Sequence, residues 1–141
     1  MSPTPILDAI TLVRVAIRNA LKPLAAPHGV YWLQADQSTP DQPVAYPYII
    51  FQSQDLGGKD VKHLGDYGWQ GLVTIRALAD GPAGKLRGAE ALLVAVLPGM
   101  DSLASAGYGF FVEHERPLVL PPDVDGIWQA GSIYRVGMYS A

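Results

Sequence analysis

The sequence predicts an α+β domain, a single mixed or antiparallel β-sheet with two helices packed on one face, in the order α-β-β-β-α-β-β. Three observations predict it. Two stretches place apolar residues at three- and four-residue steps, as an amphipathic helix does. Several others are aromatic and β-branched, or alternate between apolar and polar, as strands do. Finally, 141 residues with 49% apolar content supply one core and fall short of two ordinary domains, so residues 1–141 read as one unit.

The first helix follows from Ile6, Ile10, Val13, Ile17, Ala20 and Leu24, which share a face. Thr11, Arg14, Arg18 and Lys22 make a polar stripe on another face. Ser2 or Thr4 is a candidate cap, Pro5 suits the first turn, and Lys22 suits the negative end of the helix dipole. Pro23 and Pro27-His28-Gly29 are expected to stop it. A short strand at Val30 to Leu33 comes next, then a polar, proline-bearing loop from Gln34 to Pro43. Ala45 to Gln54 reads as a strand whose beginning, at Pro47, lies at an edge or a bulge. Asp55 to Gly68 is a long glycine-bearing loop, a length usually tied to function or mobility. Trp69 to Ala79 alternates Val73, Ile75, Ala77 and Ala79 with Leu72, Thr74, Arg76 and Leu78, a strand with two unlike faces.

Asp80-Gly81-Pro82 turns the chain into a second helix with Leu86, Ala89, Leu93, Val96 and Leu97 on its apolar face, ended by Pro98-Gly99. Tyr108 to Val112 is a strand whose furthest extent is Leu120. Pro121 to Gly126 is a turn-rich connection, and Ile127 to Tyr139 is the closing strand. Helices gathered on one face of a sheet are the layer arrangement this order allows.

Composition removes several function classes. Charged residues are 16%, against about a quarter in ordinary domains, so a charge-rich disordered chain is excluded. A net charge of -3 argues against a basic nucleic-acid binder. With no cysteine there is no disulfide framework, thiolate metal site or cysteine nucleophile. No apolar run approaches the ~20 residues of a membrane span, and MSPTPILDAI lacks the basic and apolar regions of a signal peptide. The expectation is a soluble domain, or part of an assembly, made inside a cell. Charge is uneven along the chain. The first 35 residues carry Arg14, Arg18 and Lys22 against Asp8 alone, whereas residues 36–66 and 101–141 are each net acidic. Such a split suits pairing between unlike surfaces, and low surface charge suits burial at subunit contacts.

Motifs that carry chemistry are sparse. His28, His63 and His114 have no mutual metal-ligand spacing. His63 lies near Asp60 and Asp66, a weak metal constellation that reads better as a hydrated loop. Glu113-His114-Glu115 on a strand puts both carboxylates on one face, about 7 Å apart, and His114 on the other. That spacing is tolerable for acid–base work, but a solvated strand face explains it as well. Ala130-Gly131-Ser132 is not a nucleophile elbow, Gly107-Tyr108-Gly109 lacks the third glycine of a dinucleotide fingerprint, and Asp123-Val124-Asp125-Gly126 is a turn rather than a calcium loop. The aromatic residues Tyr31, Trp32, Tyr46, Tyr48, Trp69, Tyr108, Trp128, Tyr134 and Tyr139 have too few Lys and Arg around them to stack bases, so core and interface packing accounts for them. No catalytic, cofactor-binding or metal residue is assigned, and a non-enzymatic role is expected.

The order of elements, the YPYIIF strand at Tyr46 to Phe51, the polar loop Asp55 to Gly68, the strand GLVTIRALAD at Gly71 to Asp80, the helix KLRGAEALLVAVL at Lys85 to Leu97 and the closing YRVGMY at Tyr134 to Tyr139 together resemble the tail terminator, or tail-completion, proteins of long-tailed bacteriophages. The resemblance spans nearly the whole chain. It implies a structural protein of the virion tail or neck, assembled in the host cytoplasm. In this role a hexameric ring caps the tail tube, ends its polymerisation and joins the tail to the head connector. The implied partners are further copies of the chain, the tail tube protein and the connector or neck protein. The genome DNA would pass through the lumen without specific binding, and a net-acidic chain suits a lumen that must not grip phosphates. Ring formation implies head-to-tail contacts that close by rotation. Candidate interface residues are Lys59, Asp60, Lys62, His63, Tyr67, Trp69, Arg76, Asp123, Asp125 and Trp128. A neck or head–tail joining protein is the near alternative. A small α+β ligand-binding domain or enzyme, built around His63, Asp66 and Trp69, is the alternative of a different class.

Overall fold

The computed structural model describes residues 6–32, 47–55, 67–79, 85–105, 107–120 and 126–140. Helix α1 spans Ile6–Ala25, strand β1 Val30–Trp32, β2 Tyr48–Asp55 and β3 Tyr67–Ala79. Helix α2 spans Lys85–Val96 and runs into a 3-10 helix, Leu97–Ser102, before β4 at Tyr108–Leu120 and β5 at Trp128–Ser140. The five strands form one mixed sheet in the order β1-β2-β3-β5-β4. β1 runs parallel to β2, and every other pairing is antiparallel. The α+β class expected from the sequence is the one observed.

Period-two burial fixes which face of the sheet the helices cover. Val73, Ile75, Ala77 and Ala79 of β3 are all buried, and the register sets Ile75 beside Phe51 and Ala77 beside Ile49 of β2. On the other flank Ala130, Ser132, Tyr134, Val136 and Met138 of β5 are buried in the same phase. These side chains meet Val13, Ile17, Leu21 and Ala25 of α1, and Ala89, Leu92, Leu93 and Val96 of α2, in one core. The opposite face, hereafter the open face, carries Leu72, Thr74, Arg76 and Leu78 of β3 with Gln129, Gly131, Ile133 and Arg135 of β5.

Three local expectations are corrected. Pro23 does not stop α1, which continues to Ala25. A proline in the last turn sacrifices only a hydrogen bond to the carbonyl of Asn19, an exposed residue open to water. Leu24 is not on the apolar face but 44% exposed, and Ala25 takes its place at 1%. A face that advances by Val13, Ile17, Leu21 and Ala25 follows four-residue steps throughout, whereas Leu24 belongs to the three-step alternative. Pro98-Gly99 converts helix α2 into a 3-10 turn rather than ending helical structure. Gly99 is needed there because a Cβ on it would sit 2.8 Å from the Ala20 carbonyl oxygen and 2.9 Å from Leu21 Cδ2. Strand limits differ slightly. β3 begins at Tyr67, β4 runs unbroken to Leu120, and Leu33 and residues 56–66 lie outside the described residues.

Candidate functional site

Six of the ten candidate interface residues, Lys59, Asp60, Lys62, His63, Asp123 and Asp125, lie outside the described residues, as does Asp66. The other four do not converge. Tyr67 and Trp69 stand at the start of β3, opposite Tyr139 and Met138, where a bulge shifts the register with β5. Arg76 lies seven residues further along β3, about 23 Å at strand rise. It is half-buried on the open face, and its Nη1 donates to Gln129 Oε1 at 3.1 Å. Its stem passes over Gly131, where a Cβ would stand 3.0 Å from Arg76 Cγ and 2.9 Å from the Ile75 carbonyl oxygen. Trp128 pairs with Ala79, which puts it in the phase of the helix-covered face, away from Arg76.

The Glu113-His114-Glu115 stretch behaves as strand alternation dictates. Glu113 faces Arg135 in the register, and Arg135 Nε donates to Glu115 Oε1 at 3.0 Å, so both carboxylates lie on the open face. A register shift between His114 and Arg116 lets Glu115 reach back to Arg135. The pair is 43% and 35% exposed, where such bridges are worth about 0–1 kcal/mol. His114 points to the other side, with Nε2 2.6 Å from Ser132 Oγ and its ring edge-on to Tyr134 at 5.1 Å.

A histidine beside a serine hydroxyl invites comparison with a nucleophile and its base. Ser132 is 3% exposed and sits within a ladder paired on both sides, to Ile75 and to Pro117. Its neighbouring backbone amides therefore serve the sheet rather than a developing oxyanion. The cluster reads as a polar staple between β4 and β5. It also sets the Tyr134 phenol: burial raises its pKa above 10.0, the Ser132 hydrogen bond opposes the rise, and the negative charge of Asp101 adds to it. The folded state therefore disfavours the phenolate. Stability linked to Tyr134 is complete below pH 10 and is lost as pH rises through the raised value. Chemical denaturation above pH 10 should show a smaller loss in Tyr134→Phe than in the wild type, and equal losses would remove this account.

The grooves are elsewhere. One, of about 290 Å³, lies where α1 crosses the β1 edge, lined by Arg14, Val15 and Arg18 of the helix and by Val30, Tyr31, Trp32 and Phe51. Arg14 stands over the Trp32 ring at 5.9 Å, and Trp32 meets Phe51 edge-on at 5.3 Å. A second, of about 230 Å³, runs between the 3-10 helix and β4, lined by Met100, Asp101, Leu103, Phe110 and Val112. In the sequence Arg14 and Arg18 belong to the polar stripe of the first helix. Their four-residue spacing is visible in sequence, but the meeting with Trp32 depends on α1 crossing β1. Among the described residues no group of three His, Asp or Glu could hold a metal ion, and no helix is long and apolar enough to cross a membrane.

No family model matches the chain, and neither does any curated protein. Chains of solved structures do match it. One aligns with a TM-score of 0.56 over 93% of this chain and 96% of its own, at 16% identity. At that identity the likeness concerns the fold: the arrangement of these elements recurs nearly end to end in a protein of very different sequence.

Proposed function

We propose that the chain is a structural subunit that assembles head-to-tail into a ring, in the manner of the tail terminator proteins it resembles. In that role it would cap a bacteriophage tail tube and meet the head connector. The observation that carries the reading is the open face of the sheet. At its centre it presents Leu72, Leu78 and Ile133, all half-buried, around Arg76, and its charged groups Arg135, Glu113 and Glu115 gather toward β4. A broad surface with an apolar centre and charges toward one edge suits protein contact better than capture of a small polar substrate. The low overall charge and the basic character of residues 1–35 point the same way.

Light scattering after size exclusion, with and without purified tail tubes, tests the reading. A hexamer-sized species, or a monomer that joins tube ends, is the expected result. A monomer indifferent to tubes would overturn it and favour a neck protein or a ligand-binding domain. Arg76→Glu places a negative charge at the centre of the open face while sparing the core. It should weaken assembly by about tenfold or more with a change in stability below about 1 kcal/mol. Unchanged assembly would remove Arg76 from the interface.

A further inference from the structure

Two patches at opposite edges of the sheet carry complementary chemistry. The first is the groove between α1 and β1. Arg14 and Arg18 stand one helical turn apart at its wall, and neither forms an ion pair among the described residues, where Arg135–Glu115 is the pair present. Trp32 forms the facing wall with Phe51 beside it, the Tyr31 ring turns to the opposite face of the sheet against Tyr48, and Val15 of the lining is 45% exposed. Two guanidiniums beside an indole and an exposed aliphatic side chain suit a carboxylate that arrives with an aromatic ring. Arginine holds a carboxylate through parallel N–H donors, and ring faces and guanidinium planes attract each other.

The second patch lies on β4, at the far edge of the sheet. Phe111 is 41% exposed there, and Glu113, two residues on, projects from the same open face. Tyr139 of β5, 37% exposed, extends the apolar surface beside Phe111. Arg135 stands opposite Glu113 but gives its Nε to Glu115, so Glu113 has no ion pair among the described residues. Phe111 and Glu113 thus offer the ring and the carboxylate that the groove is built to take.

We infer that the Arg14–Arg18–Trp32 groove receives Phe111 and Glu113 of a second copy of this chain. The inference rests on the ring-forming reading and names its contact. The two patches share no residue, so every copy offers one in each direction. A contact of this heterologous kind propagates head-to-tail and closes into a ring when its rotation permits. A chain of net charge -3 repels its own copies. Gathering positive charge on α1 turns part of that repulsion into orientation, because the groove attracts the carboxylate of Glu113.

Charge exchange tests the contact. Arg18 and Glu113 are both exposed, so reversals there leave the core intact, and thermal melts of each variant check this. Arg18→Glu and Glu113→Arg are each expected to weaken self-association of the full chain about 100-fold, measured by sedimentation in whichever condition gives wild-type rings, with or without tail tubes. Both reversals in one chain should restore association to within about tenfold of the wild type, because the opposed charges are again unlike. Arg87→Glu, on the exposed side of α2, removes the same charge and should leave association unchanged. Rings that persist in both single variants, or a double variant as weak as the singles combined, would overturn this contact and leave the ring reading standing. A wild-type chain that forms no ring in either condition overturns both.

Discussion

Phe51→Ala is expected to lower stability by about 3–5 kcal/mol, a large share of the ~5–15 kcal/mol that holds a domain folded. Phe51 is 1% exposed, belongs to the central core cluster and lies edge-on to Trp32. Removing the ring forfeits its burial and leaves a cavity beneath the groove, with α1 and the sheet too well pinned elsewhere to close it. The melting temperature should fall by about 10–20 °C for a chain of this size. The same truncation takes a lining ring from the Arg14–Arg18 groove, so association should weaken even at temperatures where the variant remains folded. A loss of less than about 1 kcal/mol in urea denaturation would show that the β1–β2 edge of the core is loosely packed.

Alanine at two glycines of the same region should act in opposite directions. At Gly99 the new methyl would meet the Ala20 carbonyl oxygen at 2.8 Å, Leu21 Cδ2 at 2.9 Å and Leu24 Cδ1 at 3.1 Å. The leucine tips can turn aside, but the carbonyl is part of the α1 backbone. The 3-10 helix and α1 must therefore move apart, at about 1–3 kcal/mol. Gly88, exposed within α2, has nothing within 4 Å of the same methyl. There the substitution only removes backbone freedom from the unfolded chain, and it should stabilise by roughly 0.5–1 kcal/mol. Denaturant midpoints of the two variants decide the matter. A Gly99→Ala midpoint at or above the wild-type value would contradict the close approach of the two elements.

What the sequence disclosed tracks the range of the interactions. The alternation of Val73, Ile75, Ala77 and Ala79 is local, and it identified the buried face of β3 without any knowledge of its neighbours. Glu113 and Glu115 shared a face for the same reason. The helix-face error at Leu24 arose because three- and four-residue steps are both helical. Only the partner surface decides between Leu24 and Ala25, and that surface includes a 3-10 helix more than seventy residues away. No local signal announces that 3-10 helix, since Pro98-Gly99 is ordinary punctuation until α1 packs against it. Most of the candidate interface residues fall outside the described residues, and Tyr67, Trp69, Arg76 and Trp128 are strand residues spread along β3 and β5. The groove went unread because its arginines and its tryptophan belong to different elements, and each looks ordinary alone.

The strand order has a consequence in time. β5 is the last of the described strands, yet it lies between β3 and β4 and pairs with both over most of its length. β4 has no described strand neighbour except β5, so it cannot join the sheet as it is synthesised. Until residues 128–140 arrive, the growing chain holds two pieces: a β1-β2-β3 edge with its helices, and a solitary β4. Hairpin closure between β4 and β5 spans a short loop, whereas β3 must wait for a partner about fifty residues away. A rapid hairpin followed by a slower docking onto β3 is the sequence of events this topology favours. The unpaired backbone groups along β3 stay open to stray pairing during the interval between them.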